Sequence, residues 1–283
     1  MQKLIFHIAC RRALKDGLSV YEPESIATKG FIHCAEAAQI PDIARRKFAG
    51  RRDVVLMRID TSRVAADIRY ENLTGGSELF PHIYGSLNMD AVVSVDPLQL
   101  SENSEITAVP LTVAHWEKVG RLFAISSGVA GCWCMWPKRP PGTHKPDREA
   151  NEAAMKEVLE SGQSPGLLAL IEEQAVGWCA VGPRDIYPQY RQATTRVNYW
   201  AIPCLYVDPT VDRTSIARVL IEAAVALASD NAAVAVDGPP PYWLPGDTAA
   251  IQEARNTFLK NGFEQVGPGA RMPELRRVLR IVE

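Results

Sequence analysis

Residues 199–208 read Tyr-Trp-Ala-Ile-Pro-Cys-Leu-Tyr-Val-Asp, and after a short turn the chain continues Arg213-Thr-Ser-Ile-Ala-Arg-Val-Leu-Ile-Glu-Ala-Ala. The pattern predicts an apolar strand, a tight turn and an amphipathic helix. Ile216, Val219, Leu220, Ala223, Ala224 and Leu227 recur at intervals of three and four, a stripe that must face a sheet. Such a corner leaves the first N–H groups of the helix without partners, beside the positive end of the helix dipole, so it attracts anions such as phosphates. The glycines that usually let a pyrophosphate approach the backbone are absent, and Arg213 and Ser215 stand in their place. Pro203 constrains the strand as well. With no backbone donor, it belongs at an edge, a bulge or a splay of a sheet.

A chain of 283 residues exceeds what one typical core supports, so two domains are expected. Charged residues at 23%, hydrophobic ones at 47% and a net charge of -2 describe a globular protein with no general attraction to nucleic acid or membranes. The longest apolar candidate, residues 217–228, is broken by Arg218 and Glu222, and the start lacks a signal-peptide core. A cytoplasmic protein is the expectation. Cys10, Cys34, Cys132, Cys134, Cys179 and Cys204 lack the spacing of a disulfide framework. Only one residue separates Cys132 from Cys134, so both are read as buried packing thiols and no metal site is assigned. Oligomeric state is not legible.

The polar stretch 100–110 marks a boundary, giving domains at 1–100 and 112–283 joined by a linker at 101–111. The first region shows strand patterns at 3–9, 30–34, 53–59 and 91–95, a short helix ending at Gly17, and a helix over 37–48, an α+β arrangement. In the second, helices are predicted from Thr112 and after Asp147, the latter ending before Gly162. A hairpin joins strands 167–171 and 175–181, and beyond the corner helix come a strand at 233–236, a helix at 249–261 and a last strand at 278–282. Prolines 239–241 mark a rigid loop.

The hairpin Leu-Ala-Leu-Ile-Glu-Glu-Gln-Ala-Val-Gly-Trp-Cys-Ala-Val, the strand Cys-Leu-Tyr-Val-Asp and the late Phe258-Leu-Lys-Asn-Gly-Phe263 resemble the GNAT acyltransferase superfamily over most of residues 112–283. The resemblance implies a mixed sheet flanked by helices, splayed beside its fourth strand, with acyl-CoA in the notch. It places acetyl-CoA against Cys204, Leu205, Tyr206, Val207, Arg213, Thr214, Ser215, Ile216 and Ala217. The family's turn motif, an Arg or Gln followed by a Gly-rich step, is replaced by Thr210-Val-Asp-Arg213-Thr-Ser215. Chemistry in the family is chiefly positioning of amine and thioester. Candidate catalytic groups are Glu172, Tyr199 and Asn256, with Asn198 and Tyr206 also polar near the notch. Phe258 stands where many members carry a tyrosine acid.

In the first region three histidines sit in apolar, strand-like segments: Ile5-Phe-His7-Ile, Phe31-Ile-His33-Cys and Phe80-Pro-His82-Ile-Tyr84-Gly. They read as three separate core histidines, as a zinc site, or as a shared anion- or sugar-binding cleft. The segments resemble a bacterial domain-of-unknown-function family, family 952, with a fold similar to ADP-ribosyltransferases and above all to tRNA 2'-phosphotransferases, over residues 3–98. That resemblance implies a cleft of His7, His33, Arg69, Glu71, His82 and Tyr84, and makes NAD a possible cofactor. Ile8 and Ala9 replace the Gly and Thr that would follow the first histidine.

The leading reading is an acyl-CoA-dependent N-acyltransferase acting on a small amine or peptide-like amine, fused to an ADP-ribosyltransferase-like domain. One alternative is a non-catalytic binding or regulatory protein with a degenerate CoA site. The other is NAD-dependent ADP-ribosyl or RNA phosphate transfer by the first domain.

Overall fold

In the computed structural model the described residues are 3–48, 51, 53–73, 75–98, 105–124, 131–139, 147–188, 190, 197–239, 248–267 and 274–279. The chain forms two compact units, Met1–Asn103 with Pro209–Asp212, and Ser104–Asp208 with Arg213–Glu283. Among the described residues no helix is long and apolar enough to cross a membrane.

The first unit is α+β. Its elements are β1 (Leu4–Cys10), β2 (Val20–Tyr21), α1 (Glu24–Lys29), β3 (Ile32–His33), α2 (Ile40–Phe48), β4 (Val54–Asp60), β5 (Asp67–Glu71), β6 (Phe80–Tyr84), β7 (Leu87–Asn88) and β8 (Val92–Pro97). They build small antiparallel sheets in the orders β1-β4-β8, β2-β7 and β3-β6-β5. β4 is buried along its whole length, as the central strand of three must be, and Ile5, Ile32, Met57, Ile59, Ile83 and Leu87 form the core around it. α1 is short and stops at Gly30, whose φ of 82° only glycine adopts at little cost. The helix expected before Gly17 is reduced to a single 3-10 turn, Arg11–Ala13, with no buried residue to anchor it.

The second unit holds a seven-stranded sheet. Its elements are β9 (Ile106–Pro110), α3 (Trp116–Ala124), α4 (Arg148–Glu160), β10 (Gly166–Ile171), β11 (Gln174–Pro183), β12 (Tyr199–Val207), α5 (Arg213–Asp230), β13 (Ala235–Asp237), α6 (Thr248–Lys260), β14 (Glu264–Val266) and β15 (Glu274–Val278). The sheet order is β14-β15-β13-β12-β11-β10-β9, and only the β12–β13 pair is parallel. Asp147 caps α4 by accepting from the Glu149 and Ala150 N–H groups, and Gly162 follows the helix at φ 79°.

Two expectations change. Residues 106–110, read as linker, are the edge strand β9, which pairs with β10 from Ile106↔Ile171 to Pro110↔Leu167. Among the described residues the last strand is Glu274–Val278, reaching only the first residue of the one expected at 278–282, and its Leu275 is buried in the core. The rest of the expected strand, and prolines 240 and 241, fall outside the described residues.

Candidate functional site

The decisive geometry is a fork in the second unit's sheet. β12 pairs with β11 from Pro183↔Trp200 to Gly177↔Val207, but with β13 only at Tyr199↔Ala235, Trp200↔Val236 and Ala201↔Asp237. From Ile202 to Val207 the β13 side of β12 has no strand partner among the described residues. The cause is local. Between the pairs Ala180↔Cys204 and Gly182↔Ala201, Ile202 and Pro203 together oppose Val181. Pro203 therefore sits in a bulge, where a missing N–H is tolerated and the added twist bends the strand out of the sheet. Pairing with β13 stops at that point.

At the far end of the fork, β12 passes into Asp208, whose N–H donates to the Val176 carbonyl at 2.9 Å and whose side chain is buried. α5 begins at Arg213. Ile216 and Leu220 press onto Gly177 so closely that a Cβ there would lie 2.8 and 2.9 Å from their methyl carbons. Ile216 and Ala217 are thus core residues by their side chains, and only their main chain faces the helix start. Arg213 and Thr214 are exposed, Ser215 is half-buried, and Arg213 reaches Glu253 of α6 at 3.9 Å. Cys204, Leu205 and Tyr206 are half-buried along the unpartnered part of β12, and Val207 closes it. An open strand edge suits an amide-bearing arm such as pantetheine, and the first N–H groups of α5 suit a phosphate. No glycine stands at the start of α5, where Arg213, Thr214 and Ser215 carry side chains.

The expected catalytic groups are dispersed. Glu172 is exposed in the β10–β11 turn at φ 53°, at the end of the sheet where β12 runs out. Tyr199 is at the opposite end, within the paired part of β12, its ring 4.5 Å from the Arg276 guanidinium. Asn256 is exposed on α6 and accepts from the Gln252 amide at 2.9 Å. Asn198 donates to the Asn231 carbonyl at 2.9 Å. Phe258 is buried edge-on against Phe263, with ring centroids 5.2 Å apart.

A charged cluster escaped sequence reasoning. Asp237, where β13 leaves β12, is buried and accepts from Arg276 Nε at 2.6 Å, Arg276 Nη2 at 3.1 Å and Arg184 Nη1 at 2.8 Å. The carboxylate in turn raises the Arg276 pKa. The one sequence signal was a carboxylate directly after the apolar run Ala232-Ala-Val-Ala-Val236.

In the first unit, register sets His33 opposite His82 and His82 opposite Arg69, one row across β3, β6 and β5. Glu71 and Tyr84 lie on the same face, since residues two apart on a strand share a side. Tyr84 donates to Glu71 at 2.8 Å, and the same carboxylate stands 3.7 Å from Nδ1 of buried His82, which has no hydrogen-bond partner. Phe31 packs on His82, His33 and Tyr84, and Arg69 covers the Tyr84 ring at 4.4 Å. His33, exposed at the surface, accepts from Lys29 Nζ at 3.2 Å, and desolvation by the groups packed around its ring, then Lys29, His82 and Lys47, lower its pKa to about 4. His7 stands apart from this row as a buried support. Its Nδ1 donates to the His33 carbonyl at 2.7 Å and its Nε2 accepts from the Tyr21 hydroxyl at 3.1 Å, so it is the neutral tautomer, with a pKa lowered by burial. Among the described residues no group of three or more His, Cys, Asp or Glu could hold a metal ion.

Residues 9–95 match the model of a family described as a protein of unknown function, DUF952. Over the same region, protein CC0527 from Caulobacter crescentus is 26% identical, with a TM-score of 0.33 over 36% of this chain and 90% of its own. The C-terminal region is similar to acetyltransferase structures. PaiA N-acetyltransferase from Thermoplasma acidophilum, solved with coenzyme A, is 13% identical, with a TM-score of 0.37 over 62% of this chain and 99% of its own. PH1933 from Pyrococcus horikoshii OT3 is 14% identical, with a TM-score of 0.41 over 62% of this chain and 100% of its own. No curated protein matches the chain. Nothing in these comparisons supports the NAD expectation for the first unit.

Proposed function

We propose that the second unit is an acyl-CoA-dependent N-acyltransferase acting on a small amine or peptide-like amine. The observation that carries this reading is the parting of β12 from β13 after Ala201, beside a proline bulge. Cys204–Val207 would hold an extended cofactor arm in place of the missing strand, and the start of α5 at Arg213, Thr214 and Ser215 would hold its diphosphate. Bound CoA supplies the activated thioester. The chain's own share is to hold that arm, to keep the fork rigid through Asp237 and its two arginines, and to bring the amine alongside. Phe258, buried and apolar, offers no acid at its position, so a proton for a leaving thiolate would have to come from water.

The test is calorimetric titration of the full chain with acetyl-CoA, followed by a thiol-release assay over a panel of primary amines. Sub-millimolar binding is expected, with no gain when Arg213 and Ser215 are both replaced by glycine, since in this reading the present side chains already fit the ligand. No binding by either form overturns the reading.

A second reading, a binding protein with a degenerate CoA site, draws on one observation: α5 starts with Arg213, Thr214 and Ser215, with no glycine at the turn. It expects no acyl transfer, and CoA binding that strengthens when glycine is restored at 213 and 215. For the first unit, Lys29 and Lys47 around His33 favour an anionic ligand over a neutral sugar at the face that carries His82.

A further inference from the structure

Two stretches far apart in sequence bring sulfur atoms into contact in the second unit. Cys134 Sγ lies 3.0 Å from Cys204 Sγ, across a separation of 70 residues. The Cys134 sulfur is held from another side by the Trp178 indole, whose Nε1–H donates to it at 2.8 Å. Its own backbone N–H donates to Cys132 Sγ at 3.1 Å. The turn that presents it is unusual, because Trp133 and Cys134 both take positive φ, 45° and 49°, a conformation that side chains other than Gly and Asn rarely adopt. Trp133 stacks on Trp116 and meets Phe123 edge-on, and these contacts hold the turn in place. Cys134 is buried, whereas Cys204 is half-buried on the stretch of β12 that has lost its β13 partner.

We infer that Cys134 and Cys204 form an oxidisable dithiol, a modification site at which a hydroperoxide converts the two thiols into one disulfide. Cys204, the more accessible, reacts first. Its sulfur takes one peroxide oxygen, giving a sulfenic acid and one water. Cys134 Sγ then attacks that sulfur, forming the S–S bond and releasing the hydroxyl, with the Cys134 proton, as a second water. Two thiols are oxidised by two electrons in all, and one hydrogen peroxide is reduced to two waters. Burial holds the Cys134 thiol well above its ordinary pKa and away from peroxide, so the more accessible Cys204 is the sulfur that reacts first. Closing the bond asks the sulfurs to approach by about 1 Å, from contact to the ~2.05 Å of a disulfide. The bridge ties residues 131–135 to the open part of β12 and so limits how far that strand can move.

In the sequence Cys132 and Cys134 read as packing thiols and Cys204 as a residue beside acetyl-CoA; the contact between Cys134 and Cys204 spans 70 residues and comes only from the tertiary structure.

The experiment uses the full reduced chain, treated with hydrogen peroxide, blocked with iodoacetamide, digested and mapped by mass spectrometry. It needs no CoA, so its outcome is separate from that of the acyltransferase reading. The expected result is a peptide pair joined through Cys134 and Cys204, loss of two alkylation sites, and reversal by dithiothreitol. Cys204→Ser, at a half-buried position, is expected to abolish the joined pair, and Cys132→Ser to leave it. The inference is overturned if peroxide drives Cys204 to the sulfinic acid while Cys134 still alkylates. It is equally overturned if the bridge joins another pair of cysteines, or if neither sulfur reacts.

Discussion

Replacing Asp237 by alanine is expected to destabilise the second unit by about 3–5 kcal/mol, the cost of breaking a buried ion pair from one side. The side chain is 2% exposed and meets two guanidiniums through three contacts of 2.6 to 3.1 Å. Its partners, Arg184 and Arg276, are themselves only 11% and 22% exposed. Without the carboxylate, two largely buried guanidiniums lose the counter-charge they share. Asp237→Asn keeps the shape and some hydrogen bonds, so it is expected to lose less than Asp237→Ala. The assay is selective. All 6 tryptophans lie at or beyond position 116, so fluorescence follows the second unit alone. At roughly 2–4 °C per kcal/mol for a domain of this size, the alanine variant melts about 6–20 °C below the parent. A loss under about 1 kcal/mol, the range of solvent-screened surface pairs, would refute the reasoning and with it the role of this cluster in bracing the fork.

Gly177→Ala is expected to cost about 1–3 kcal/mol by overpacking, because the new methyl meets Ile216 and Leu220 at 2.8 and 2.9 Å; unchanged urea midpoints would contradict that packing. Tyr21→Phe removes the donor to His7 Nε2 and leaves a buried ring nitrogen unsatisfied, so the first unit should lose about 1–3 kcal/mol, read by amide exchange in β1 and β4. His7, His33 and His82 all have folded pKa values below the ordinary value, chiefly through desolvation, so the unfolded chain binds more protons in the window below about pH 6.5. Their stabilisation is present above that pH and is lost as pH falls toward the value of about 4 at His33. Amide exchange in the first unit should therefore quicken, relative to its intrinsic rate, from pH 7 to 5, and less so in His82→Gln; equal acceleration in both would remove histidine as the cause.

Much of the second unit could be read locally. The three- and four-residue spacing of α5, the hairpin around Glu172, the Asp147 cap and the stop at Gly162 each depend on residues within one or two turns of one another. β5 was missed as a strand because Asp67-Ile-Arg-Tyr-Glu71 places charged groups where propensity disfavours one, whereas Phe80-Pro-His-Ile-Tyr84 already reads as strand-like and is β6. β9 was taken for linker because an edge strand, covered on one side only, has no need of a continuous apolar run.

By itself the sequence determined which faces of its segments must be buried, and that Pro203 had to stand where a ladder breaks. Only the tertiary structure decided where the break falls, since that depends on how far β13 runs beside β12. It also decided that Asp237 meets Arg184 and Arg276, that His33, His82 and Arg69 share a row, and that Cys134 touches Cys204. Periodicity is a property of neighbours along the chain, whereas strand register and long-range contacts are chosen by the packing of the whole core.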